Sequence, residues 1–204
     1  MLPSPFEAFA AYERAHGLPD RFISGVVVNG GDDGAWSRHE RGEIDFEVFC
    51  SAFADECSEA GGTVVVSDLM DSLMTGVVPR PAYLKAIALI RSAGLSTAAL
   101  TNNWAGPPVS GADPTDPTAV ALDALADTFD VVIESAVVGL RKPDLAIYEL
   151  TCTELGVSPP EAVFLDDIGA NLKPARALGM HTIKVTDPDA ALTELSGVLG
   201  FPLR

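Results

Sequence analysis

An apolar run that begins at Ala162 ends in two adjacent carboxylates, Asp166 and Asp167. A glycine-containing turn and an amphipathic segment follow, a pattern typical of a buried strand that leads into a helix. In open α/β folds the carboxyl ends of the strands form the ligand-binding edge of the sheet. Like charges forced together there repel each other, and a bound cation or a shared proton relieves the repulsion. The pair therefore indicates a metal site, with an acidic turn capped by Asp167 as the alternative.

Two other strand ends carry groups that suit a phosphate. Thr101 and Asn102 follow an apolar run and offer a hydroxyl, an amide and backbone N–H groups. Lys142 precedes Pro143, which fixes the backbone and holds the ammonium near the mouth of the following helix. Each feature alone is also typical of an ordinary turn or a solvated lysine. Because parallel strands end on one side of a sheet, we expect all three to share one crevice.

The elements that would position these residues alternate regularly after residue 79. We predict strands over 96–101, 131–134, 162–166 and 181–185. We predict helices over 79–93, 118–128, 144–155, 171–178 and 189–199, with a proline- and glycine-rich loop over 106–117. Alternating strands and helices indicate crossover connections, and hence a doubly wound α/β fold with a parallel sheet.

The first 78 residues show a different, mainly helical pattern. One amphipathic helix is expected up to Gly17 and another over 44–60. The valine runs 26–28 and 64–66 are compatible with either strands or buried helix turns. This region contains no catalytic constellation, and His16 and His39 are interpreted as surface residues or as core residues with satisfied hydrogen bonds. We therefore divide the chain into a helical region, 1–78, and an α/β core, 79–204.

Composition excludes several classes of function. The 204 residues suffice for one large domain, and the net charge of −16 argues against a nucleic-acid or anionic-membrane surface. An anionic substrate would need a local cation or metal. Cys50, Cys57 and Cys152 have no metal-ligand spacing and are interpreted as reduced thiols. No apolar run approaches about 18 residues and no signal segment opens the chain, so we expect a cytoplasmic protein.

The order of these features resembles the haloacid dehalogenase superfamily of hydrolases. Its second, third and fourth motifs look like Leu100-Thr101-Asn102, Lys142-Pro143 and Leu165-Asp166-Asp167. Within the superfamily, the chain is most similar to the amino-terminal phosphatase domain of soluble epoxide hydrolases. That likeness is carried by residues 100–104, 138–143, 164–180 and 186–195. The resemblance implies a Rossmann-like core, and it makes residues 1–78 the helical cap that closes over the site.

The resemblance also implies magnesium-dependent hydrolysis of a small-molecule phosphate ester. Thr101 and the backbone at Asn102 would hold the phosphoryl oxygens, and Lys142 would offset charge on the phosphoryl group and nucleophile. Asp167 would bind magnesium, with Asp166 as a second or water-mediated ligand. Positioning and charge neutralisation are what phosphoryl transfer requires. The substrate's identity and the oligomeric state, including a homo-oligomer, are left open.

One part of the family pattern is missing. The family's first motif is an apolar strand that ends in Asp-x-(Asp or Gly)-x-(Thr or Val), and its first aspartate is the nucleophile. The segment Met1–Phe6 looks like the residues that follow that motif. Asp68 and Asp71 follow an apolar run, but their neighbours look like a cap helix. We therefore expect that the chain as written is not a competent phosphatase, with a non-catalytic metal- or phosphate-binding or regulatory domain as the alternative.

The missing strand would lie in the middle of the family's sheet, between the strands that end at Thr101 and Asp166. Each buried backbone group left unpaired costs about 1–3 kcal/mol, against a total stability of about 5–15 kcal/mol. Three explanations are considered: a start placed too far downstream or a trimmed chain, replacement by a valine run, and a partner strand or decay. The order of the motifs excludes a receiver domain. The paired acids disfavour a metal-independent dehalogenase, and no Gly-x-Gly-x-x-Gly turn indicates a dinucleotide site.

Overall fold

The computed structural model describes residues 5–74, 80–104 and 127–204, and the helices and strands below are those of these residues. The helical region contains α1 (Pro5–His16), α2 (Phe22–Gly30), α3 (Ala35–Glu40), α4 (Phe46–Glu59) and α5 (Val66–Met74). The rest contains α6 (Pro81–Ser92), β1 (Ala98–Thr101), β2 (Val131–Glu134), α7 (Ser135–Val138), α8 (Leu145–Leu155), a 3₁₀ turn (Pro159–Glu161), β3 (Val163–Asp166), α9 (Gly169–Ala177), β4 (His181–Lys184) and α10 (Pro188–Leu199).

Helices α1 to α5 pack around an aromatic cluster. Trp36 lies at its centre, with ring centroids 5.4 Å from Phe9, 5.7 Å from Phe49 and 5.4 Å from Phe53. The edge-to-face arrangements are those that aromatic quadrupoles favour. Asp45 starts α4 because its carboxylate accepts a hydrogen bond from Val48 N at 2.8 Å. The helices predicted over 44–60 and before Gly17 are therefore confirmed.

Neither valine run forms a strand. Residues 26–28 lie within α2, and residues 64 and 65 lead directly into α5. The hypothesis that a valine run replaces the missing strand is therefore wrong. Burial explains these helices, because the fully buried Ile23 and the buried Val26 face the aromatic cluster, and this packing overrides the strand propensity of β-branched residues.

The strands form two separate parallel pairs. In one pair, Leu100 of β1 lies opposite Ile133 of β2, and in the other, Leu165 of β3 lies opposite Ile183 of β4. Among the described residues, no backbone ladder joins β1 to β3. Within residues 5–74, 80–104 and 127–204, the middle of the sheet therefore has no strand, as predicted, and two half-sheets face each other.

Helices cover both faces of these half-sheets, as the doubly wound prediction requires. On one face, α6 and α10 pack against Val163, Leu165 and Ile183. On the other face, α8 and α9 pack against Ile133 and Phe164. The alternation of Phe164 and Leu165 between the two faces follows from the two-residue period of a strand. The α/β fold class is confirmed.

Between the half-sheets lies a mainly apolar cavity of about 300 Å³. Ala98 and Leu100 line it from β1, and Val163 and Leu165 line it from β3. Side chains from α6, α8 and α10 complete its walls. We call this cavity the slot.

Some predictions are corrected or lie outside the described residues. The helix predicted over 171–178 begins earlier, at Gly169, and its N-cap is Ile168, so Asp167 is not the capping residue. Residues 106–117 and most of the helix predicted over 118–128 lie outside the described residues, although Asp127 and Thr128 lie in a turn. The division at residue 78 stays a prediction. In the described part of the chain, no helix combines the length and the apolar character needed to cross a bilayer.

Candidate active site

The carboxyl ends of β1 and β3 meet at one edge, which we call the rim. Lys142, in the loop before α8, donates from Nζ to Leu100 O at 2.9 Å and to Asp166 Oδ2 at 2.9 Å. The side chain of Asn102 clamps the same lysine's backbone: Asn102 Oδ1 accepts from Lys142 N at 2.8 Å, and Asn102 Nδ2 donates to Lys142 O at 3.0 Å. The structure therefore brings Asn102, Lys142 and Asp166 together, as the sequence predicts. Thr101 is half-buried at the end of β1 and lies opposite Glu134 of β2.

The two adjacent aspartates have different environments. Asp166 is buried, and its Oδ1 accepts from Ile168 N at 2.7 Å. Asn171 Nδ2 donates to both of its oxygens at 3.2 Å. Asp167, by contrast, is exposed. The charge of Asp166 is therefore compensated by Lys142 and by neutral donors, a solution to the repulsion that the sequence argument did not consider.

A magnesium ion requires oxygen ligands, and the rim supplies few of them. Within residues 5–74, 80–104 and 127–204, no group of three or more His, Cys, Asp or Glu side chains is arranged to hold a metal. Mg²⁺ commonly binds one or two carboxylates and completes its shell with water and substrate phosphate. The exposed Asp167 carboxylate suits this role, whereas both oxygens of Asp166 already accept hydrogen bonds. The donors fit such an ion only if water and phosphate supply the remaining ligands.

Glu40 of α3 connects the helical region to the rim. Its Oε2 accepts from Arg141 Nε at 2.7 Å and from Asn102 Nδ2 at 3.2 Å. Its Oε1 accepts from the indole of Trp36 at 3.0 Å. Sequence reasoning did not identify Glu40, because a single glutamate before a glycine turn carries no recognisable signal. Arg141 directly precedes Lys142 of the third motif, and this position was the only indication in the sequence that Arg141 lies near the rim.

The segment after β1 is held by α7 and the end of β2. Asn103 N donates to Ser135 Oγ at 2.9 Å, and Ser135 Oγ donates to Asn103 O at 3.0 Å. The side-chain amide of Asn103, through Nδ2, also donates to Glu134 Oε1. Ser135 is fully buried, so these bonds are shielded from water. They fix the backbone next to Asn102.

A buried tyrosine is linked to Asp166 through Asn171. Tyr148 donates its hydroxyl to Asn171 O at 2.7 Å, and the side chain of Asn171 in turn donates to Asp166. Burial raises the pKa of Tyr148, and the nearby charge of Asp166 adds to this effect. Tyr148 therefore remains a protonated donor at neutral pH.

His16 and His39 have different environments. His16 is exposed and stacks on Tyr12, as a surface histidine would. His39 is buried and stacks on Phe49 at 4.2 Å, with Nδ1 3.2 Å from Ile44 O. Its Nε2 is buried and has no hydrogen-bond partner among the described residues. His39 is therefore a core residue, as one of the two predicted alternatives has it, with one of its ring nitrogens hydrogen-bonded within the described residues, and burial lowers its pKa.

The fold and the rim define an α/β protein with a lysine and two acids at the carboxyl edge of its parallel strands. A family model for haloacid dehalogenase-like hydrolases matches residues 6–179. The chain belongs to this family of hydrolases.

Curated relatives and solved structures agree with that assignment. The chain is 41% identical to acyl-CoA dehydrogenase family member 10 of Mus musculus, with all of this chain and 18% of the relative covered. It is 36% identical to bifunctional epoxide hydrolase 2 of Sus scrofa, with 99% of this chain and 37% of the relative covered. The predicted likeness to epoxide hydrolases is confirmed. The chain thus spans well under half the length of these relatives.

The fold is also that of a haloacid dehalogenase family enzyme from Bacteroides thetaiotaomicron, solved in complex with magnesium and inorganic phosphate. The TM-score is 0.55 at 19% sequence identity, and the match covers 91% of this chain and 88% of the other. At this identity the comparison supports the fold alone.

Proposed function

We propose that the rim is a magnesium-assisted binding site for small-molecule phosphate monoesters. The observation that carries this proposal is the position of the Lys142 ammonium, which is fixed at the carboxyl edge by Leu100 O and Asp166. In a chain with a net charge of −16, an anionic ligand needs such a localised cation. A lysine held by two acceptors still has a third N–H donor for a phosphoryl oxygen.

The neighbouring groups divide the remaining contacts. Because the side chain of Asn102 is occupied by the backbone of Lys142 and by Glu40, only its backbone N–H is offered to a ligand. The hydroxyl of Thr101 would donate to a second phosphoryl oxygen. Lys142 would neutralise part of the phosphoryl charge, which is the main requirement of phosphoryl transfer.

Magnesium, when bound, would neutralise phosphoryl charge and orient the ester. Asp167 would hold it directly, since its carboxylate is exposed. Asp166 would contribute through a water molecule, because its own oxygens accept from Lys142, Ile168 and Asn171. The Bacteroides thetaiotaomicron enzyme, which shares the fold, was itself solved with magnesium and inorganic phosphate.

Hydrolysis in addition requires a carboxylate that attacks phosphorus. Asp68 belongs to α5 in the helical region and does not follow a strand. At the rim, Asp166 is the last residue of β3 and is paired with Lys142, and Asp167 is the proposed magnesium ligand. We therefore propose that the 204-residue chain binds phosphate esters without hydrolysing them. This observation favours the second candidate function, a non-catalytic metal- and phosphate-binding domain.

Calorimetric titration of the 204-residue chain with inorganic phosphate, with and without MgCl₂, tests this proposal. We expect saturable binding that requires Mg²⁺ and that is lost in Lys142→Met. Lys173→Met is the matched control, because Lys173 is an exposed lysine on α9. Absence of phosphate binding by the folded wild-type chain would overturn the proposed site.

A parallel assay with a generic aryl phosphate and Mg²⁺ separates binding from turnover. We expect no hydrolysis above the Lys142→Met background. Robust turnover by the wild-type chain would show that the proposed lack of hydrolysis is wrong and would support the hydrolase instead.

A further inference from the structure

A carboxylate from the helical region lies beside the loop that carries the rim's cation. Glu40 is the last residue of α3, and its side chain is 10% exposed. Its Oε2 accepts from Asn102 Nδ2 at 3.2 Å and from Arg141 Nε at 2.7 Å. Asn102 in turn binds the backbone of Lys142, and Arg141 is the residue before Lys142 in the chain. One carboxylate oxygen therefore holds two groups that determine where the backbone of Lys142 lies.

The charge of Glu40 is unfavourable for a site that binds an anion. Because burial lowers the effective dielectric constant, a largely buried acid repels a nearby anion more strongly than a solvated acid does. Without Glu40, Arg141 would lose the carboxylate oxygen 2.7 Å from its Nε, and a guanidinium without that partner would attract the anion more strongly. Electrostatics alone therefore predicts tighter phosphate binding when Glu40 is removed. A favourable contribution of Glu40 to the site has to come from geometry.

The geometric contribution lies in the orientation of the Asn102 side chain. Asn102 Oδ1 accepts from Lys142 N at 2.8 Å, and one N–H of Asn102 Nδ2 donates to Lys142 O at 3.0 Å. The second N–H of Nδ2 faces Glu40, whose carboxylate offers only acceptors. A hydrogen bond to a charged acceptor is about twice as strong as a neutral one. Glu40 thus stabilises the one orientation in which Asn102 binds both backbone groups of Lys142.

Glu40 is itself held by the core of the helical region. Its Oε1 accepts from Trp36 Nε1 at 3.0 Å, and the Trp36 ring packs against Trp104, after β1, with centroids 6.1 Å apart. Just beyond α3, the backbone of Gly42 adopts a φ of 68° and lies so close to Ala136 O that a Cβ would overlap with it. The end of α3 is therefore fixed against the α/β part of the chain at two further points.

We propose that Glu40 is a positioning residue for phosphate binding. Through Asn102 and Arg141 it fixes the backbone of Lys142, and so keeps the ammonium at the rim. This inference rests on the proposed phosphate site and adds that the helical region supplies part of the site's geometry. Glu40 does not contact the ligand in this role. Its removal should weaken phosphate binding although it removes a negative charge, which is the opposite of the electrostatic expectation.

Calorimetric titration of the 204-residue chain with inorganic phosphate in MgCl₂ measures the direction of this change. Glu40→Met removes both carboxylate oxygens. Glu40→Asp keeps the charge, but its side chain is shorter by a CH₂ group and cannot reach Trp36 and Asn102 together. We expect each variant to bind phosphate about tenfold or more weakly than the wild type. The titrations are made at a temperature at which urea unfolding shows each variant to be folded.

Glu43→Gln is the matched control for the charge. It removes a negative charge from the same segment of the chain, and the Glu43 side chain is 45% exposed. Because solvent and salt screen such a charge, phosphate affinity should stay within about twofold of the wild type. A weaker affinity in both Glu40 variants together with an unchanged affinity in this control supports the positioning role.

A second measurement requires no ligand. Amide hydrogen exchange, followed by NMR, reports on Lys142 N, which donates to Asn102 Oδ1. We expect this proton to exchange about tenfold or more faster in Glu40→Met than in the wild type. His181 N, which donates to Ala162 O at the start of β3, is the reference for a general loss of stability, because such a loss speeds the exchange of both amides.

The wild-type chain provides a third measurement, which does not depend on the folding of any variant. Both protons on Asn102 Nδ2 are hydrogen-bonded, one to Glu40 and one to Lys142 O. They should therefore exchange more slowly than the side-chain amide protons of the exposed Asn29. Equal exchange at the two asparagines would show that Glu40 does not hold Asn102, and would overturn the proposal.

Two results from the variants would also overturn it. If Glu40→Met binds phosphate as tightly as the wild type or more tightly, Glu40 acts only as a charge. If exchange at Lys142 N rises only as much as exchange at His181 N, Glu40 does not fix the backbone of Lys142. A wild-type chain that binds no phosphate would instead overturn the proposed function, while exchange at Lys142 N still decides whether Glu40 positions this residue.

Discussion

Lys142 and Asp166 form a largely buried ion pair across the gap in the sheet, with Nζ 2.9 Å from Oδ2. Their side chains are 12% and 5% exposed. Because Lys142 also donates to Leu100 O, a single ammonium bonds to the ends of both half-sheets. This contact at the rim substitutes in part for a ladder between β1 and β3, which the described part of the chain does not form.

Lys142→Met should therefore destabilise the protein more than loss of a surface charge would. The change leaves the Asp166 carboxylate buried without its cation, a loss of about 2–4 kcal/mol, with the low end set by its remaining donors. Urea unfolding of the wild type and the variant measures this difference in the free energy of unfolding. Lys173→Met, the exposed control, should change it by less than about 0.5 kcal/mol. Equal effects of the two substitutions would show that the ion pair contributes nothing.

Substitutions of the two adjacent aspartates should have different effects, one on stability and the other on metal binding. Asp166→Asn places an amide where Lys142, Ile168 and Asn171 all donate, so we expect a loss of about 2–3 kcal/mol. Asp167→Asn alters an exposed carboxylate and should change stability by less than about 0.5 kcal/mol. It should nevertheless weaken the Mg²⁺-dependent binding of phosphate by about tenfold, as one lost carboxylate ligand would. Urea unfolding measures the change in stability, and calorimetry measures the binding of phosphate in the presence of Mg²⁺. If Asp167→Asn binds phosphate as tightly as the wild type, Asp167 does not belong to the site.

Much of the α/β part could be predicted because its signals are local. The strand that ends at Asp166 and the helix stopped by Gly156 follow from apolar runs and glycine positions within a few residues. The gap between β1 and β3 followed from the resemblance, which indicated which strand of the family pattern was missing. The convergence of Lys142 and Asp166 followed from the rule that parallel strands end on one side.

The remaining features depended on contacts between distant residues. Glu40 reaches Arg141, which is 101 residues away in the sequence, and no local pattern indicates that pairing. The runs at 26–28 and 64–66 have strand-like composition, but packing against the aromatic cluster determines their conformation. The buried nitrogen of His39 likewise arises from tertiary packing around Phe49.

Glu40→Gln should loosen the connection between the helical region and the rim. The amide keeps an acceptor for the Trp36 indole but loses the charge that pairs with Arg141, whose side chain is 17% exposed. We expect a loss of about 2–4 kcal/mol in urea unfolding, with a change in tryptophan fluorescence. Glu43→Gln is the control, because the Glu43 side chain that pairs with Arg38 and Arg41 is 45% exposed, and such solvated pairs contribute about 0–1 kcal/mol. If the two variants lose the same free energy, the connection is not structural.

His39 should make the stability of the protein depend on pH. Burial lowers its pKa below the ordinary 6.5, so the folded state binds fewer protons than the unfolded state in the interval between these two values. The free energy of unfolding is therefore fully retained above pH 6.5 and falls as the pH drops through that interval. His39→Phe keeps an aromatic ring to stack on Phe49 but cannot titrate.

Thermal unfolding of the wild type and His39→Phe between pH 5 and 8 measures this contribution. We expect the melting temperature of the wild type to fall more steeply toward acid than that of the variant. Every other titratable group is common to both proteins, so its contribution cancels in the difference. Parallel curves for the two proteins would show that His39 accepts a proton in the folded state as easily as in the unfolded one. In that case its buried Nε2 would have to gain a partner in solution.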